Sequence, residues 1–285
     1  MITRKRIRVS DVILTAFIYL AAALSVCLLI GIIVYVFIKG AGRVDFSFIT
    51  SVTSVLKGTV GIAGNILNTI YIILLTLLIA TPLGIGAAIY LNEYARPGKI
   101  VKLIEATTET LSGIPSIIFG LFGMVVFGTV FGLSYSILTG SITMALMIMP
   151  LITRNTQEAL KSVPYTYRQG ALGIGATKWY MIRTILLPSA MPGILTGVIL
   201  AVGRIVGESA ALLFTAGSGY LLPRTAEGYF NKILEPGGTL TIQLYLSMQK
   251  GEYEVAFGIA LVLIVIVLIL NALAKAVAYK FTTKK

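Results

Sequence analysis

The stretch "QEALKSVPYTYRQGALGIGATKWYMIRTILLP" runs from Gln157 to Pro188, between two apolar runs. Ser162 followed by Pro164 reads as a helix start, with a capping hydroxyl and then a proline in the first turn. The spacing predicts a short helix from Pro164 to about Leu172, broken by Gly173 and Gly175. A second short helix begins near Thr177 and leads into Pro188. The predicted unit is therefore two short helices joined by a glycine turn. Its glycines do not read as a phosphate cradle. No strand precedes "GALGIG", and G-x-x-x-x-G-K-[ST] occurs nowhere in the chain.

Outward from this loop the chain is apolar. Of 285 residues, 57% are hydrophobic and 12% charged, with a mean hydropathy of +0.94. A membrane-spanning helix needs about 20 mostly apolar residues. Several runs meet that length, and six spans are read in all, at Val12–Ile38, Ile62–Leu91, Leu103–Leu133, Ile137–Ile152, Ala190–Ala216 and Val255–Val277. The first is too long for the roughly 7–15-residue core of a signal peptide, so it reads as an uncleaved span. Pro82 and Gly84 predict a kink near the end of the second. In the third, Glu105, Glu109, Ser112 and Pro115 interrupt the pattern, and Ser112-Gly113 before Pro115 predicts a break. The fourth reads as short, closed by Arg154 and Asn155 as an anchor.

Charge sets the expected orientation. Six of the 23 Lys and Arg fall on one side of these spans, at Lys39, Arg43, Lys57, Arg224, Lys232 and Lys250. Arg204 lies inside a span, and the remaining sixteen share the side that holds both termini. That asymmetry predicts cytoplasmic termini and explains the net charge of +12 without nucleic acid. The single Cys27 excludes a disulfide framework and reads as an apolar filler. The lack of histidine removes the usual metal ligand and proton shuttle. No segment outside the spans is long enough for a soluble domain. On the outer side, "PGGTLTIQLYLSMQKGEYE" reads as a short amphipathic helix at the interface.

The stretch "AVGRIVGESA", Ala201–Ala210, puts two charges into an otherwise apolar run. Arg204 and Glu208 are four residues apart and would share one helix face. A charge at the bilayer centre costs roughly 2.5–3.5 kcal/mol on insertion scales. Either the two side chains clamp helices as a pair, or they line a solute path. On the second reading Arg204 meets an anion and Glu208 holds Arg204 in place. Gly193/Gly197, Gly203/Gly207 and Gly128/Gly132 read as close-packing pairs. Glu105 and Glu109 read as wetted boundary residues, and Trp179 and Tyr180 as an interfacial belt.

Gln169-Gly170-Ala171, then Gly175, then Ile185, Leu187 and Pro188 resemble the "EAA" loop of ABC-importer permeases. That pattern is E-A-A, three residues, G, nine residues, I-x-L-P. Five positions match at the family spacing, while Gln169 and Gly170 replace the first two residues. More narrowly, "GIPSIIFGLFG", "LGIGATKW", "LLPSAMPGILTGVILAVGRIVGESA" and "LLFTAG" resemble permease subunits of phosphate-specific ABC importers. The similarity covers Ile62 to Asn271, and the short N-terminus resembles the smaller, A-type permease.

The resemblance implies an all-α integral membrane protein with six transmembrane helices and the type I ABC importer fold. Residues 1–61 form the first span and outer loop, 62–277 the transmembrane domain with a coupling loop at 156–188, and 278–285 a tail. It implies multi-pass insertion in a prokaryotic cell membrane. The implied partners are the lipid bilayer, a homologous second permease, two ATPase subunits and an extracytoplasmic phosphate-binding protein. Gln169, Gly170, Ala171, Gly175, Ile185, Leu187 and Pro188 would form the ATPase contact, and Arg204, Glu208 and Ser112 the phosphate path. No catalytic residue, metal or cofactor is implied. The alternatives are an importer of molybdate or sulfate, an ion-coupled secondary transporter, or a scaffold. A secondary transporter would need internal repeats and an ion relay, and neither is visible.

Overall fold

A computed structural model describes residues 9–54, 59–96, 98–223 and 225–282. Arg4, Lys5, Arg6, Arg8, Lys57, Arg224, Lys284 and Lys285, which carry part of the charge asymmetry, lie outside the described residues. The chain opens with α1, Val9–Gly40, whose apolar side chains are exposed along its length. It touches the rest chiefly through α13, Tyr253–Thr282, where Tyr35 meets Phe257 edge to face at 5.6 Å. A helix apolar all round and unburied by protein is one that lipid surrounds. A short α2, Phe46–Thr50, and a two-stranded antiparallel hairpin of β1, Val52–Ser54, and β2, Thr59–Ile62, follow.

The second span is α3, Ala63–Ile89. It continues unbroken through Pro82, and its irregularity comes later, in a π-helical turn at Tyr90–Tyr94. The third expected span is two helices. Residues of α4, Lys99–Gly113, and of α5, Ser116–Gly123 with a π-helical extension to Val130, meet at 100°. Ile114, the residue before Pro115, is extended at φ −71° and ψ 132°, because proline excludes the helical region for its predecessor. Counted as one span, this bent pair brings the total to six.

The fourth span is not short. α6 runs from Ile137 to Lys161, started by Ser136, whose hydroxyl accepts from the Thr139 N–H at 3.1 Å. Buried Ile148, Ile152, Thr156, Ala159 and Leu160 carry its packed face past Arg154, so Arg154 and Asn155 sit inside the helix and do not end it. Then come α7, Tyr165–Gly173, and α8, Lys178–Met181. α8 passes through a further π-helical turn, Ile182–Leu186, into α9, Leu187–Gly207. The fifth span therefore ends at Gly207, earlier than expected. Glu208 is extended at φ −81° and ψ 127°, and Ala210–Thr215 forms a separate α10.

Beyond α10, α11 spans Ala226–Asn231 and α12 spans Leu240–Gln249. α12 is not an interfacial helix. Its Leu240 and Ile242 are fully buried. The loop before it is pinned from α3, where Asn65 Nδ2 donates to the Gly238 carbonyl at 2.9 Å and Asn68 Nδ2 to that of Gly219 at 2.8 Å. The main core lies where α3, α6, α9 and α10 converge, on Ile72, Met144, Ile148, Ala201, Ile205 and Leu212. A second core, with Leu160, Ala171, Met181, Ile182 and Leu186, sits beneath the α7–α8 turn.

Candidate functional site

α4, α6 and α9 line an open cavity of about 420 Å³. Two of the three residues assigned to a solute path line it, namely Ser112 near the end of α4 and Arg204 on α9. Glu109 of α4 and Arg154, Glu158 and Lys161 of α6 join them. The bend at Pro115 turns the polar end of α4 toward α6, and α9 is drawn onto α6 by its glycines. A Cβ at Gly193 would stand 2.6 Å from that of Ala159, and one at Gly197 would stand 2.7 Å from that of Asn155. Only the small residues permit this approach. Gly203 and Gly207 differ, since a Cβ at either would meet nothing within 4 Å. They lie beside Arg204, on the side of α9 that no described part of the chain covers.

The cavity's cations are unequal. Arg154 Nε lies 3.5 Å from Glu158 Oε1, and Nη1 lies 4.0 Å from Glu109 Oε1 across the α4–α6 gap. These exposed pairs add little stability. Their effect is to neutralise Arg154. Arg204 has no hydrogen-bond or ion-pair partner among the described residues, so its five donors are free for an oxyanion.

Glu208 is not in this cavity. Because α9 stops at Gly207, Arg204 and Glu208 do not share a continuous helix face. Glu208 Oε1 accepts from the Ala211 N–H at 3.1 Å, and its carbonyl accepts from Thr241 Oγ1 at 2.8 Å. The sequence pairing fails because four-residue spacing brings side chains together only where the helix continues.

The α7–α8 turn has the expected form, with two corrections. Ser162 does not cap α7: it ends α6, where its hydroxyl donates to the Ala159 carbonyl at 2.8 Å, and α7 starts after Pro164 without a side-chain cap. Gly173 still belongs to α7, and Gly175 alone makes the break, at φ +83°. Gly175 N donates to the Leu172 carbonyl and Ala176 N to that of Ala171, each at 3.0 Å, which closes the helix end. Thr177 Oγ1 then accepts from the Tyr180 N–H at 3.3 Å and starts α8. Gln169, Gly170 and Gly175 are exposed, Ala171 is buried, Ile185 and Leu187 are half-buried, and Pro188 is exposed. At the tip, Ile174 is 87% exposed.

Sequence reasoning missed an ion pair beneath this turn, between Arg168 of α7 and Glu93 of the Tyr90–Tyr94 turn, at 2.9 Å. Both residues looked like ordinary boundary charges, and nothing in their spacing of 75 residues linked them. Glu105 and Glu109, read as boundary residues, line the cavity instead. Among the described residues no cluster of His, Cys, Asp or Glu could hold a metal ion.

Residues 80–283 match the family described as the binding-protein-dependent transport system inner membrane component. The chain is 38% identical over 210 residues to the probable ABC transporter permease protein YqgI of Bacillus subtilis, covering 74% of this chain and 71% of that one. It is 35% identical over 178 residues to the phosphate transport system permease protein PstA of Xylella fastidiosa, spanning 62% of each, less than two thirds of that relative's length. Its fold matches a chain of a bacterial alginate ABC transporter, solved in complex with an alginate pentasaccharide-bound periplasmic protein. The TM-score is 0.70, at 17% identity over 96% of both chains.

Proposed function

This chain belongs to the binding-protein-dependent transport system inner membrane component family, and within it we propose a permease subunit of an ATP-driven phosphate importer. It is a multi-pass membrane component with the type I ABC importer permease fold, not itself a catalytic enzyme.

One observation carries the phosphate reading, which is that Arg204 lines a cavity shared with several charged side chains and has no ion-pair partner of its own among the described residues. Phosphate near neutral pH is an oxyanion with several acceptor oxygens. It cannot enter a low-dielectric path without a cation, and a guanidinium supplies one with paired donors that no pH change removes. The carboxylates beside Arg154 keep the cavity from becoming a deep anion trap. Binding must be strong enough to admit the solute and weak enough to release it.

The excess of Lys and Arg on one side supports cytoplasmic termini in a prokaryotic inner membrane. On that orientation the cavity extends from near mid-membrane at Arg204 toward the cytoplasmic end of α6. The uncovered face at Gly203 and Gly207 is where a second permease chain packs and closes the path. The exposed α7–α8 turn docks an ATPase, two copies serving the two permeases. A phosphate-binding protein delivers solute on the outer face. The PstA similarity supports phosphate over molybdate or sulfate.

The test is uptake by the assembled complex in vesicles, with radiolabelled phosphate, sulfate and molybdate offered in turn. Phosphate uptake that excess sulfate and molybdate leave intact is the expected result. Equal competition by either would reassign the substrate.

A further inference from the structure

Glu93 and Tyr94 are neighbours in the π-helical turn that ends α3, and each holds a different arm of the α7–α8 turn. On the first arm, Arg168 donates to Glu93 Oε1 from Nη2 at 2.9 Å and from Nε at 3.3 Å. The same guanidinium donates to the Val163 and Leu160 carbonyls, both at 2.9 Å. Asn92 Nδ2 donates to the same Glu93 oxygen at 2.6 Å. The two charged side chains are only 13% and 6% exposed. On the second arm, Lys178 Nζ stands 5.0 Å from the centroid of the Tyr94 ring, a cation–π contact.

A buried ion pair is weak evidence for stability, because desolvating both charges offsets much of their attraction. What it does provide here is a fixed distance between α7 and α3. The guanidinium satisfies three separate backbone or side-chain acceptors at once, so α7 cannot shift without moving α3 or breaking several bonds. π-helical turns are rare and concentrate at functional sites. One ends α3 at Tyr90–Tyr94, and another, Ile182–Leu186, joins α8 to α9. Farther along, α3 lies so close to α6 that a Cβ at Gly84 would stand 2.8 Å from Cγ2 of Ile152. α6 in turn carries Arg154 and Glu158 into the cavity.

We infer that Glu93 and Arg168 are a positioning pair through which motion of a docked ATPase reaches α3, and from α3 the cavity. This rests on the reading of the α7–α8 turn as the ATPase contact. A load on the exposed tip at Ile174 passes first to the Tyr90–Tyr94 turn, which then moves α3 against α6. Tyr94 and Lys178 tie the second arm to the same place, so both arms move together.

The experiment uses the full complex in vesicles, and measures three quantities: ATPase retained on purification, ATP hydrolysed, and radiolabelled phosphate taken up per ATP. Glu93→Gln keeps a hydrogen-bond acceptor but removes the charge. Its expected result is an ATPase retained and hydrolysing within about twofold of the unmodified complex, with phosphate per ATP down about tenfold or more. Arg168→Lys keeps a paired charge but cannot reach Glu93 and both carbonyls together, and it is expected to uncouple likewise. Wild-type phosphate per ATP in Arg168→Lys overturns the proposal, whether or not Glu93→Gln assembles. If instead the unmodified chain retains no ATPase, or Ile174→Asp leaves ATPase retention unchanged, the docking reading falls and not the relay alone.

Discussion

Glu208 Oε1 accepts a hydrogen bond from the Ala211 N–H at 3.1 Å, so this carboxylate serves the start of α10 and not the arginine one turn before it. Glu208→Ala should therefore destabilise the subunit by about 0.5–2 kcal/mol, the usual loss for a helix-start acceptor. Glu208→Gln, whose amide oxygen still accepts, should be close to neutral. Thermal unfolding of the purified complex separates the two. Joint neutralisation, Arg204→Gln with Glu208→Gln, should transport no better than Arg204→Gln alone. Their effects should add within about 0.3–0.5 kcal/mol, as for uncoupled sites. Recovery of uptake in the double variant would restore the helix-clamp reading of this pair.

The two cavity arginines should differ in phosphate uptake. Arg204 has no partner among the described residues, so Arg204→Gln removes charge-assisted bonds to solute worth about 1.5–3 kcal/mol, or roughly 10- to 150-fold. Arg154 is already neutralised by Glu109 and Glu158. Exposed pairs of that kind are worth about 0.2–1 kcal/mol, so Arg154→Gln should change uptake by no more than about fivefold. Equal losses at the two positions would place the solute contact at Arg154 as well.

The contrast between these arginines also shows where sequence reading reaches its limit. Spans, the glycine turn and the break at Pro115 are local, written in apolar period, helix-start hydroxyls and proline geometry. So the first, second and sixth spans, the turn and the break lie close to their expected places, whereas the fourth span runs on to Lys161 and the fifth stops at Gly207. Arg204 and Ser112 were singled out because polar groups inside an apolar run are costly wherever they lie. Glu208 misled because one extended residue after Gly207 cancels a four-residue spacing, and no local signal announced it. Glu93 and Arg168 were invisible for a different reason: their pairing depends on how α3 docks beside α7, a tertiary fact with no period in the chain. The longer α6 was missed because Arg154 looks like an end, whereas the buried stripe through Leu160 decides.

Glycines at the α7–α8 turn should respond by backbone and not by space. Gly173 and Gly175 both have open surroundings. Only Gly175 has positive φ, +83°, where an L-residue costs about 1–2 kcal/mol. Gly175→Ala should distort the turn and lower ATPase retention on purification, and Gly175→Asp more so by adding charge. Gly173→Ala, inside α7, should be neutral or stabilising by about 0.5–1 kcal/mol. Equal retention in Gly173→Ala and Gly175→Ala would mean that the turn's shape does not matter for docking.

The glycines of α9 divide by what stands opposite them, and this divides folding from assembly. A side chain at Gly193 would press on Ala159, and one at Gly197 on Asn155, inside the α6–α9 contact. Overpacking of that kind costs typically about 1–3 kcal/mol. Gly193→Leu should therefore lower the stability of the subunit itself and reduce its yield in the membrane. Gly203 and Gly207 face open space beside Arg204 in the single chain. A Cβ at Gly203 meets nothing within 4 Å, so the insertion and folding of Gly203→Leu should be unchanged. If a second permease packs on this face, the same leucine blocks close helix approach and the two chains should separate on purification, with uptake lost. Membrane yield of the subunit and recovery of its partner, measured on the two variants side by side, give the readout. A Gly203→Leu subunit that folds and still recovers a full complement of partner chain would move the permease interface away from this face of α9.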